Sequence, residues 1–339
     1  MGVSAVLAVG LGVVGVWLPV PYVGLGPGPV FDTLGSVNPG QAGADPIITI
    51  TGTTTYPADG QLDLTTVSVY GADSGELTLS RALQFWLDRD FAVVPTEVLY
   101  PDEKTPEELQ REVAAEMEQS QQSAVVAALR ELKIPVTTTI VIKATAADSP
   151  AAAVLRPDDV ITAVDGLPVK DVDALRTALG ARPPGGEVRV TYTRGGVSST
   201  ATLRTVASAD NERRAVIGVD LREESEYPFT VSLRTDKVGG PSAGLMFALG
   251  IIEALTPGSL TSGVHVAGTG TISDSGEVGP IGGIQQKLIA AARAGATQFL
   301  VPADNFADAE ESRPDGLTLH KVGTLDDALA ALARIRSAA

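Results

Sequence analysis

The chain contains no cysteine. Disulfides, thiolate catalysis and cysteine-ligated metal sites are thereby excluded. Histidine is almost as scarce, with only His265 and His320 in 339 residues. Neither sits in a motif of nucleophilic catalysis, and His265 lies in the apolar run Val264–Ala267, which reads as a packed strand. Basic residues are outnumbered, 25 Lys and Arg against 41 Asp and Glu, for a formal charge of −16. An acidic surface of this kind repels phosphate backbones and argues against a nucleic-acid partner. No G-x-x-x-x-G-K-[ST] run occurs, so a P-loop is absent and work without ATP is expected. No HExxH or comparable ligand cluster occurs either, so neither a catalytic metal nor a cofactor is expected.

Charge is missing altogether from residues 1–31; the first charged side chain is Asp32 and the first basic one is Arg81. Met1 to Leu18 is apolar apart from Ser4 and glycines. At ~1.5 Å per residue it would span roughly 27 Å as a helix, slightly short of a ~30 Å hydrocarbon core. A membrane anchor, a cleaved signal peptide and a buried core helix compete for this stretch. A basic n-region and a small-residue cleavage site are both missing. The anchor, over residues 1–20, is the preferred reading, with a true start upstream as one reason for the shortness. Without nearby Lys or Arg, orientation cannot be read from charge.

Residues 21–135 read as a scaffold. Pro27–Pro46 is rich in Pro and Gly and reads as an extended tether. Ile47–Thr51 and Leu62–Tyr70 carry strand composition around the Asp59-Gly60 turn. Leu77–Leu87 is amphipathic. Thr105-Pro106-Glu107-Glu108 is a capping box that opens a long helix reaching about Lys133, with Leu109, Val113, Ala114, Met117, Val125 and Leu129 on one face. No chemistry is assigned to this region.

Residues 136–208 form a compact β-rich unit. Strand signals at Thr137–Lys143, Asp159–Val164, Val188–Thr193 and Ser198–Thr205 surround a helix capped by Asp171. Asp165-Gly166 and Gly195-Gly196 supply turns. This order, with Leu155-Arg156-Pro157-Asp158-Asp159-Val160-Ile161, is similar to a bacterial PDZ domain. The resemblance implies capture of an extended polypeptide at a sheet edge. Asp158 stands where such domains often have Gly.

Residues 210–339 alternate strand and helix patterns, as an α/β unit does. The fold class expected for the whole is α/β (α+β) and multidomain, with a membrane helix at its start. Within the last unit, Gly239-Gly240-Pro241-Ser242-Ala243-Gly244 precedes an apolar helical run to Leu255. Lys287 follows 45 positions after Ser242, behind Pro280-Ile281-Gly282-Gly283, with Ile284, Leu288 and Ala291 on or beside its helical face. A serine hydroxyl needs a base, and a lysine kept neutral by burial can be one. Gly240 and the free N–H groups at the helix start could serve a developing oxyanion. A capped turn with a solvent-facing lysine remains the alternative at this level.

The run Gly-Pro-Ser-Ala-Gly, then Thr269-Gly270, then Pro280 to Leu288, resembles the proteolytic domain of the Lon protease family over about residues 210–339. The resemblance implies Ser242 as nucleophile, Lys287 as general base and Thr269 as a supporting group near the lysine. Many relatives have Asp at the position of Gly239 and Glu at that of Thr271, which bears on gating and on what orients Lys287. The wider arrangement resembles a branch of PDZ-containing, membrane-anchored Lon-like proteases. This implies an ATP-independent serine endopeptidase acting on loosely folded polypeptides, single-pass in a membrane with its bulk outside the cytoplasm, and a homo-oligomeric ring. A non-catalytic PDZ-based membrane adaptor is the alternative function.

Overall fold

The computed structural model describes residues 15, 17–37, 45–71, 76–100, 106–209, 211–234 and 239–338. The chain separates into two compact units, Met1–Ile134 with Phe229–Ala339, and Pro135–Pro228. The second unit is therefore an insertion in the sequence of the first.

The first unit is built on a six-stranded sheet. Its strands are β1 (Tyr22–Asp32), β3 (Gln61–Tyr70), β4 (Ala92–Pro95), β14 (His265–Gly268), β17 (Gln298–Pro302) and β18 (Thr318–Val322), in the order β18-β17-β14-β3-β1-β4. The C-terminal strands pair in parallel, and β14 also pairs in parallel with β3, Val266 opposite Leu62 and Gly268 opposite Leu64. The N-terminal strands β1, β3 and β4 pair antiparallel. Strands covered on both faces read as continuous apolar runs, and Phe299-Leu300-Val301 is completely buried.

Three sequence expectations change here. The partition into a scaffold, 21–135, and a separate proteolytic unit from 210 does not hold, because β3 lies hydrogen-bonded between β1 and β14. The boundary at 210 also moves: β12 (Val219–Glu226) belongs to the inserted unit, and the first unit resumes at Phe229. The stretch read as a tether contains most of β1. The strand tolerates Pro27 and Pro29 because its register shifts between Pro27 and Val30, and because β4 covers it only from Tyr22 to Leu25. Beyond Leu25 a missing N–H on that side breaks no ladder.

Helices complete the unit. They include α1 (Leu79–Leu87), α2 (Thr96–Leu99), α3 (Pro106–Glu131), α5 (Gly244–Leu255) and α6 (Ile284–Ala294). The capping box lies outside the described residues, apart from the backbone of Pro106 and Glu107 and from Glu108. Of the expected face of α3, Met117, Val125 and Leu129 are buried but Ala114 is exposed. The helix is instead buried all round from Ser123 to Leu129, where it packs against α5. Helix α5 is itself apolar on every side and buried from Gly244 to Glu253, as a helix enclosed by neighbours must be. Helix α6 follows Gly283 in the left-handed region and stops at Gly295, also left-handed, whose N–H donates to the carbonyls of Ala291 and Ala292.

The inserted unit has a sheet in the order β12-β5-β6-β8-β9, from β5 (Thr137–Thr145), β6 (Val160–Val164), β8 (Glu187–Arg194) and β9 (Val197–Arg204), with β7 (Leu167–Pro168) on β6. Helix α4 (Val172–Gly180) is capped by Asp171, whose Oδ1 accepts from Ala174 N at 2.7 Å. Ile140, Ile142, Leu155, Ile161, Leu175 and Val190 are among its core residues. Asp158 adopts φ 68°, the region where glycine would be at ease and Asp is tolerated. Val219–Glu226 and Thr137–Thr145 are antiparallel, with Glu226 opposite Thr137, so the unit begins and ends at one place.

The stretch read as a membrane anchor, 1–20, lies mostly outside the described residues. Among the described residues no helix is long and apolar enough to cross a membrane.

Candidate active site

Ser242 sits in a 3-10 turn, Pro241–Ala243, that runs directly into α5. Gly240 leads into it with φ 84° and ψ 158°, a conformation that side chains scarcely allow. Among the described residues a Cβ at Gly240 would meet nothing within 4 Å, so its need is conformational. Gly244 is different. A Cβ there would lie 2.8 Å from Ile272 Cγ2 and 2.9 Å from Ser120 Oγ. The first turn of α5 is thus pressed closely against β15 (Thr271–Ile272) and α3.

Lys287 points from α6 to the same place. Its Nζ lies 2.8 Å from Ser242 Oγ, 3.0 Å from Thr269 Oγ1 and 3.0 Å from the Thr65 carbonyl oxygen. The residue is 3% exposed, and no carboxylate is among these partners. Burial pushes the amine down from its usual 10.5 to about 7. The ammonium loses hydration here and gains no counter-charge, so the neutral form becomes accessible near neutral pH.

The hydrogen-bond roles fix where the nitrogen's remaining valence points. Thr269 Oγ1 donates to the Ser242 carbonyl at 3.0 Å, so its single hydrogen is committed and it accepts from Lys287. The Thr65 carbonyl can only accept. Two amine hydrogens are therefore used, and the position facing Ser242 Oγ is a lone pair in the neutral form and a third N–H in the ammonium. In the neutral form the Ser242 hydroxyl donates to Nζ, the arrangement that a proton transfer from serine needs.

The turn is held by its backbone as well. Gly270 N donates to the Ser242 carbonyl at 2.9 Å, and Leu245 N donates to the Gly270 carbonyl at 3.1 Å. Ser120 Oγ, on α3, donates to the Pro241 carbonyl at 2.8 Å. A groove of about 440 Å³ begins there, between α3 and β15, with Ser120, Pro241, Thr271 and Ile272 on its walls.

All four residues singled out in the sequence converge. Ser242, Lys287 and Thr269 are joined by direct hydrogen bonds, and Gly240 adjoins the turn. Thr65 and Ser120 were not foreseen. Thr65 contributes a backbone atom, which no side-chain pattern marks. Ser120 sits mid-helix among Glu and Gln, where a serine carries no signal. His265 is no base for this site: its Nε2 pairs with Asp63 Oδ2 at 2.5 Å. Among the described residues no cluster of three or more His, Cys, Asp or Glu could hold a metal.

An α/β domain with a serine at a helix start and a buried, acid-free lysine in hydrogen-bond reach falls in the class of serine peptidase domains. Residues 234–334 match the family described as Lon protease (S16) C-terminal proteolytic domain, and residues 115–205 match the PDZ domain family. Lon protease 1 of Sorangium cellulosum is 43% identical over 101 residues, 29% of this chain and 12% of that protein. Lon protease 1 of Bacillus subtilis is 32% identical over 182 residues, 51% of this chain and 23% of that protein. The alignments thus span at most about a quarter of these two relatives. The PDZ domain of an SdrC-like protein from Listeria monocytogenes is 25% identical, covers 24% of this chain and 85% of its own, and has a TM-score of 0.23.

Proposed function

We propose that this chain is a serine endopeptidase in which Ser242 is the nucleophile and Lys287 the general base. The observation that carries this is the 2.8 Å contact between Ser242 Oγ and an amine that is 3% exposed and titrates at about 7. Neutral Lys287 takes the hydroxyl proton as Oγ attacks the scissile carbonyl carbon. The resulting oxyanion meets the N–H groups at the start of α5, beside Gly240. Lys287 then returns its proton to the departing amine as the peptide C–N bond breaks, leaving an ester on Ser242. A water molecule, deprotonated by Lys287, hydrolyses that ester and restores the serine. Thr269 holds the amine and the serine backbone in register throughout.

Work without ATP follows from the lack of a P-loop in these residues, and it favours substrates that are already loosely folded. The PDZ-like unit suits capture of an extended segment of such a substrate. Anchoring through residues 1–20, with the bulk outside the cytoplasm, and assembly into a ring complete the reading. The orientation and the ring rest on resemblance, and the anchor also on the uncharged start of the chain.

The test is cleavage of casein by the purified full chain, without nucleotide, beside Ser242→Ala and Lys287→Ala. Loss of cleavage in both variants, together with labelling of the parent by a serine-directed probe, is expected. Cleavage by Ser242→Ala at the parent rate overturns the assignment. Peptide binding without labelling would mark an adaptor instead.

A further inference from the structure

The chain has two tryptophans and both are exposed, Trp17 at 75% and Trp86 at 72%. They gather where the uncharged stretch 1–18 leads into the sheet. Leu79 N donates to the Leu18 carbonyl at 2.8 Å, Val20 N to the Leu77 carbonyl at 2.9 Å, and Thr96 N to the Pro21 carbonyl at 3.1 Å. These bonds tie residues 17–22, α1 and α2 into one corner. Leu18, Leu83, Leu87 and Val98 are exposed in the same segments, as is Tyr22. Among the described residues of the first unit, seven of the nine large hydrophobic side chains that face solvent lie in this corner. Scattered exposed hydrophobics would need no explanation, but this concentration does.

Helix α1 shows why. Its inner face is satisfied: Ala82 and Phe85 pack with Leu77, Val20, Tyr70, Phe91 and Val93. Beside that face Leu83, Trp86 and Leu87 widen the apolar arc and stay 49%, 72% and 76% exposed, while Ser80, Arg81 and Gln84 form the polar side. A helix whose apolar arc is wider than the core it covers leaves part of that arc for another apolar environment. Exposed charges of both signs border the patch, Arg81 and Arg89 with Glu76, Asp88 and Glu97.

We infer that this corner lies in the interfacial layer of a lipid bilayer, so that α1, α2 and residues 17–18 form a second membrane contact beside the stretch 1–18. The inference rests on the reading of that stretch as an anchor. Two observations favour lipid over protein as the occupant. The apolar run Met1 to Leu18 ends at this patch. Both tryptophans are there, and tryptophan concentrates at the membrane–water interface. The contact would hold the peptidase unit at a fixed distance from the bilayer and restrict its access to segments near the surface.

Trp17→Phe leaves Trp86 as the sole tryptophan. The full-length variant, reconstituted into phosphatidylcholine–phosphatidylglycerol vesicles, is compared with the same vesicles carrying lipid brominated high on the acyl chain. Trp86 emission is expected to fall by about half with bromine present. Adding Leu83→Glu and Leu87→Glu should restore emission while the protein still floats with the vesicles. Flotation with unquenched Trp86 overturns the interfacial contact and leaves the anchor standing. Failure to float at all overturns both. A Trp86 that is shielded without bromine quenching, in a species of twice the chain mass, assigns the patch to a second copy and overturns the lipid contact.

Discussion

The backbone carbonyl of Thr65 accepts a hydrogen bond from Lys287 Nζ at 3.0 Å, across 222 positions of sequence. The amine is therefore aimed by a strand, β3, that lies outside the region matching the Lon proteolytic domain. Residues 234–334 alone lack this acceptor and the three strands, β3, β1 and β4, that lie beyond β14 on that side. Expressed without residues 1–134, the matching segment is expected to be insoluble or inactive on casein, and activity of such a fragment comparable to that of the full chain would remove β3 from the site.

Lys287 sets the pH dependence. Activity should rise with pH, half-maximal near 7, the value to which burial lowers the amine. Below that the amine is an ammonium whose third N–H faces Ser242, and it cannot accept a proton. A kcat/KM profile on an unstructured peptide measures this, and a flat profile between pH 5 and 9 would exclude Lys287 as the base.

The same shift has a sign for stability. The folded pKa lies below the unfolded one, so between about 7 and 10.5 the unfolded chain binds more protons than the folded chain. This group's contribution to stability therefore rises with pH across that window and is at its worst below it. Lys287→Met removes the buried amine and the slope together. The variant should be inactive yet more resistant to urea than the parent, by roughly a few kcal/mol at pH 6 and by much less at pH 10.

Thr269 is a positioning residue, since its hydroxyl touches Lys287 and the Ser242 carbonyl. Thr269→Val keeps the shape and removes both bonds. Its kcat should drop about 10- to 100-fold with little change in KM. Thr269→Ser should recover most of the loss, which a purely structural role for the methyl group would not allow.

Ser120 offers a test of the unforeseen contact. Ser120→Ala leaves the Pro241 carbonyl without this donor, at a cost of about 1–3 kcal/mol in urea unfolding if no water replaces it. Because Pro241 adjoins Ser242, kcat should fall as well. An unchanged melting profile and kcat would make the bond incidental.

The inserted unit should be separable. Glu226 lies opposite Thr137, so the ends of 135–228 meet and a short Gly-Ser bridge can replace them. The shortened chain is expected to fold and to cleave unstructured casein. The excised unit should fold alone, having its own sheet and core. A shortened chain that cannot fold would show that the insertion is needed for the first unit.

Local signals made parts of this molecule legible in advance. The glycine-flanked serine and the PIGG run marked the two helix starts, because only particular residues fit those turns. The inserted unit was readable from Asp165-Gly166, Gly195-Gly196 and the Asp171 cap, each of which acts within a few residues. The parallel pairing of β3 with β14 left no such mark. Gln61 meets His265 only after the rest of the chain has folded between them, and nothing near either residue specifies the other. Pro27 and Pro29 misled for a related reason. Their cost depends on whether a partner strand lies alongside, and that is a property of β4 rather than of the prolines.

Pairing β3, from early in the chain, with β14, from late in it, also fixes when the site can exist. A growing polypeptide leaving the ribosome presents Thr65 early, then the whole inserted unit, and Lys287 only near the end. Until that final third has emerged, the amine has no dry socket and the serine no partner. An unfinished chain thus lacks the contact between amine and hydroxyl.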